Sequence, residues 1–154
     1  MHVMEISREI MDYLNAFRGS KPVVHNSDSM IIKGICGDKI AADAREAKLK
    51  ELLEHIDFKE ISAESERANT ITQKIDQVFR NTTGVFDQSN GIGGIERLKH
   101  TFEITGFAID YIIGLKDNIA VFVAMWSDKS GVGPMFVEAM VVNIDAADDE
   151  KIMV

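Results

Sequence analysis

Cys36-Gly37-Asp38 is where a nucleophile would be sought first in this chain. Strand-like residues end there and a helix-forming stretch begins, and the N-terminus of a helix favours the thiolate form that attacks electrophiles. The neighbouring carboxylate of Asp38 opposes that effect. The ordinary alternative is a lone thiol packed as a small hydrophobe. His25, beside Asn26, Ser27 and Asp28, is the base that strand pairing could bring to the thiol, and the same four residues also make a plain turn.

The four histidines, His2, His25, His55 and His100, lack the i, i+4 or His-x-His spacing that places two ligands on one metal, so no metal site is expected. His55 falls in the last turn of an expected helix, where a cation suits the dipole and a structural role suffices. Gly91-Ile92-Gly93-Gly94 lacks the order of a dinucleotide-binding loop. Asp128-Lys129-Ser130-Gly131 lacks the first glycine of a phosphate loop and joins two strands instead of opening a helix. Both read as turns, and no cofactor is expected.

A second group of candidates depends on strand register. Phe107–Leu115, Ile119–Ser127 and Met135–Ile144 are strand-length apolar runs separated by short turn-forming connections, which require antiparallel neighbours. A first hairpin turning at Asp117-Asn118 and a second pairing Ser127 with Met135 would align Tyr111, Ala124 and Glu138 on one face. Tyr111, Trp126 and Glu138 are then the ligand-binding candidates, around room left by the small Ala120 and Ala124. A helix filling that room is the alternative. The middle run, Ile119 to Trp126, carries no charge on either alternating face, so both faces are expected to be covered. Helices on one side and a partner subunit on the other would do this, as would a closed or wrapped sheet.

The elements before the meander are mostly helical. Ile6, Ile10, Tyr13, Leu14 and Phe17 recur at helical spacing over Met4–Phe17, with an end expected at Gly19. Val23–His25 and Met30–Ile35 read as short strands. A second helix, capped by Asp38, buries Leu49, Leu52, Leu53 and Ile56. Phe58–Ile61 suits another short strand. Ser62 or Ser65 caps a third helix with Ala68, Ile71, Ile75, Val78 and Phe79 on one side. Residues 85 to 94 read as a loop, and 95 to 104 fit helix and strand periods equally.

Helices first and a meander last give an α+β fold: N-terminal helices with short strands, then a C-terminal three-stranded antiparallel meander in a helix-covered sheet. At 154 residues the chain fits one domain spanning 1–154, with a frayed acidic tail over 145–154. The balance of 17 Lys and Arg against 25 Asp and Glu, net −8, argues against nucleic acid and anionic membrane partners. Basic stretches such as Arg45–Lys50 are mixed with acids, as on solvated helix faces. A single cysteine and an N-terminus interrupted by charge suit a reducing, cytoplasmic setting.

The expected function is a non-catalytic binding or assembly module. It would be homodimeric through its C-terminal sheet, or would bind another protein there. The alternative is a small-molecule-binding protein or enzyme that uses Tyr111, Trp126 and Glu138, or a reactive thiol at Cys36.

Overall fold

In the computed structural model the described residues are 3–15, 23–26, 29–36, 40–62, 65–78, 104, 106–130 and 133–145. Helix α1 spans Val3–Leu14 and buries Val3, Ile6, Ile10 and Leu14 along one stripe. It ends earlier than its apolar period suggests. Asn15 takes a left-handed φ of 46°, a conformation that asparagine tolerates, and its N–H donates to the Asp12 carbonyl at 3.2 Å. The expected glycine stop at Gly19 lies outside the described residues.

Strands β1 (Val23–Asn26) and β2 (Ser29–Ile35) form an antiparallel pair. A single 3-10 turn, Ala42–Ala44, leads into α2 (Arg45–His55). The second helix thus begins later than expected, because Ala41 is still extended, and Asp38 lies outside the described residues. Leu49, Leu52, Leu53 and Ile56 are all buried, as their spacing requires. Two residues, Lys59–Glu60, make β3, and α3 follows over Glu66–Val78. Ser65 caps it: its hydroxyl accepts the Ala68 N–H at 3.1 Å and donates to the Ser62 carbonyl at 2.7 Å.

The C-terminal run is the expected meander, β4 (Phe107–Lys116), β5 (Ile119–Asp128) and β6 (Phe136–Asn143). Asp117, with φ 53°, turns the chain between β4 and β5. The loop expected at 85–94, the helix-or-strand question over 95–103 and the tail beyond Asp145 fall outside the described residues.

The meander is half of a larger sheet. All six strands join in the order β1-β2-β6-β5-β4-β3, every neighbouring pair antiparallel, with β1 and β3 at the edges. Among the described residues the sheet is therefore open, and closure is not what covers β5. Residues of α1 and α2 pack with Ile32, Ile112, Val121, Val123, Val137 and Val141 on one face. Ala68 and Ile71 of α3 pack with Ile31, Ile113, Phe122 and Met140 on the other. Ala120 to Met125 are all 0% exposed within one chain, so cover that could have come from a partner subunit or a closed sheet comes from helices on both faces. Each large side chain buried this way contributes about 1.5 to 3 kcal/mol.

Candidate functional site

The two hairpins place the ligand-binding candidates by parity alone. Tyr111 pairs with Ala124 across β4 and β5, and Ala124 pairs with Glu138 across β5 and β6. On β2, Lys33 is the register partner of Glu138. Along this row Ala124 is 0% exposed and Glu138 is 2% exposed, while Tyr111 is half-buried and stacks on Phe122 with centroids 5.7 Å apart. The small alanines are thus covered within the chain. Glu138 remains a carboxylate deep in an apolar sheet, an expensive placement for a charge.

Trp126 stands in the next row. Register sets Ile35 against Phe136 and Phe136 against Trp126, and the two rings stack at 5.8 Å and 22°. Phe136 and Trp126 are half-buried and Ile35 is 42% exposed, so this end of the face lined by α3 carries apolar surface toward solvent. Tyr111 also lines a groove of about 260 Å³ between α2, β3 and β4, with Glu46, Lys50, Glu60 and Asp110. Neither Trp126 nor Glu138 reaches that groove. The three candidates share a sheet face, and of the three Tyr111 alone lines this groove.

Among the described residues, the helical turn that follows Cys36 in sequence starts only at Ala42. Cys36 itself follows β2, its N–H donates to the Met135 carbonyl at 2.8 Å, and its thiol donates to the carbonyl of Leu14 at 3.2 Å. Leu14 is the last residue of α1, so the thiol faces the partially negative end of a helix, opposite to the electropositive setting of reactive cysteines. At 5% exposure it packs with Leu14, Met30 and Met135 in the core. His55 closes the last turn of α2 and stacks on Tyr13 at 4.5 Å. Tyr13 also takes Lys48 over its ring at 4.3 Å and donates its hydroxyl to Glu51 at 3.3 Å, which ties α1 to α2.

A polar cluster that the sequence reading missed lies on the opposite face from Glu138. Arg45 is buried at 4% exposure instead of belonging to a solvated basic stretch. Its Nε donates to Asp110 at 2.7 Å and its Nη1 to the Ser127 hydroxyl at 3.0 Å. A signal was present: Asp110 is the sole charge in the apolar run Phe107–Leu115, and an acid on a core-facing strand requires a cation. The exposed Asp128 at the end of β5 accepts the Ser130 N–H at 2.8 Å. Hydrogen bonds from the Ser130 side chain and backbone hold its carboxyl below the ordinary 3.8.

Among the described residues, no group of three or more His, Cys, Asp or Glu is placed to hold a metal ion, and no helix is long and apolar enough to cross a membrane. These elements define an α+β protein built on an open, wholly antiparallel sheet with helices packed on both faces. Over residues 5–141 the chain matches the family described as "Uncharacterized protein conserved in archaea (DUF2120)", and it belongs to that family. It is 33% identical over 133 residues to a protein of Methanocaldococcus jannaschii named "Uncharacterized protein MJ0491", covering 85% of this chain and 77% of that one. No solved structure matches it with significance.

Proposed function

We propose that this chain is a non-catalytic binding or assembly module, self-associating through its C-terminal sheet at the end where Ile35, Phe136 and Trp126 stand side by side. The observation that carries the reading is this row: three apolar residues on adjacent strands, the outermost 42% exposed beside a half-buried phenylalanine. Stacked aromatics flanked by aliphatic surface are what interface cores are enriched in. The middle of the sheet is already covered within one chain, so a contact between copies would form at this end instead of over residues 120 to 125 of β5. A single-domain, cytoplasmic protein suits the lone cysteine and the pairing of early β2 with late β6.

Native mass spectrometry of the purified protein tests this. The expected result is a dimer without excess mass, which Ile35→Lys converts to a monomer of unchanged circular dichroism. A bare monomer at every concentration would overturn self-association.

A second reading is favoured by Glu138, a carboxylate 2% exposed beside the small Ala124 and in one row with Tyr111. In this reading the α3-lined face takes up a small molecule, with Tyr111, Trp126 and Glu138 around it, or the Cys36 thiol supplies reactivity. A monomer that carries added mass lost on denaturation is the outcome that would establish the first of these.

A further inference from the structure

We draw no further inference here: the strongest candidate, the groove of about 260 Å³ that α2 and β3 leave beside Ile109 to Ile112 of β4, is walled by carboxylates partly engaged by Arg45 and Lys50, and nothing in the structure shows what occupies it.

Discussion

Arg45 and Asp110 meet through Nε and Oδ2 at 2.7 Å, with the arginine side chain 5% exposed and the aspartate 32%. The two ends of this pair are therefore unequal. An aspartate left alone can still be hydrated, whereas a guanidinium left alone stays inside the protein. Removing one partner of a buried pair costs about 3 to 5 kcal/mol. Asp110→Ala is expected to fall in that range, and Arg45→Met, which keeps the apolar stem and lets Asp110 rehydrate, to cost less. Urea denaturation of both variants checks the order, and equal losses would contradict the asymmetry. Moderate salt should leave the difference nearly unchanged, because buried pairs are weakly screened.

Gly114 lets Leu53 of α2 pack tightly against β4. A Cβ built there would lie 2.8 Å from Leu53 Cδ2 and 3.1 Å from Val121 Cγ2. Leu53 is itself 2% exposed and has little room to turn aside. Gly114→Ala should destabilise the protein by about 1 to 3 kcal/mol through overpacking. Combined with Leu53→Ala, which opens space, the two changes should cost less than their sum in a double-mutant cycle.

The Cys36 thiol should react with iodoacetamide at the rate at which the chain opens. Its 5% exposure and its bond to the Leu14 carbonyl leave little access in the folded state. Labelling at neutral pH is expected to be slow in buffer and complete within minutes in denaturant. Fast labelling of the folded protein would restore the thiol as a nucleophile.

Ser130 sets the titration of Asp128. Because the folded carboxyl lies below 3.8, its stabilising contribution is fully present above the unfolded value and is lost as pH falls through the lowered folded value. Ser130→Ala removes the side-chain bond and keeps the backbone N–H, so the Asp128 midpoint followed by NMR should move partway toward 3.8. No movement would place the cause elsewhere. The group is fully exposed, so the change should register in the titration curve more than in thermal stability.

What was legible in the sequence lies where period and turn chemistry act over short range. Asp117 and Asn118 set the parity of the first hairpin, and a strand period of two did the rest, so the row of Tyr111, Ala124 and Glu138 followed from turn positions alone. The stripe of Leu49, Leu52, Leu53 and Ile56 was equally readable. Contacts between distant segments were hidden. Cys36 looked like the start of the next helix along the chain, yet the helix it touches ended 22 residues earlier. Arg45 lies 65 residues from Asp110 and 82 from Ser127, so local composition placed it on a wet surface. Cover for the second sheet face could not be assigned to α3, because a helix with one apolar stripe does not say which sheet face receives it.

The position of β6 between β2 and β5 has a kinetic consequence. Ser29 to Ile35 pairs with residues more than a hundred positions later, so the two halves of the sheet are held apart until Phe136 to Asn143 arrive between them. A folding chain in which β6 has not yet docked carries two strand edges, on β2 and on β5, both rich in branched residues. Such edges are templates for pairing with other chains. Folding of this chain therefore passes through a vulnerable interval that the docking of one strand brings to an end, and long-range pairing of this kind folds slowly.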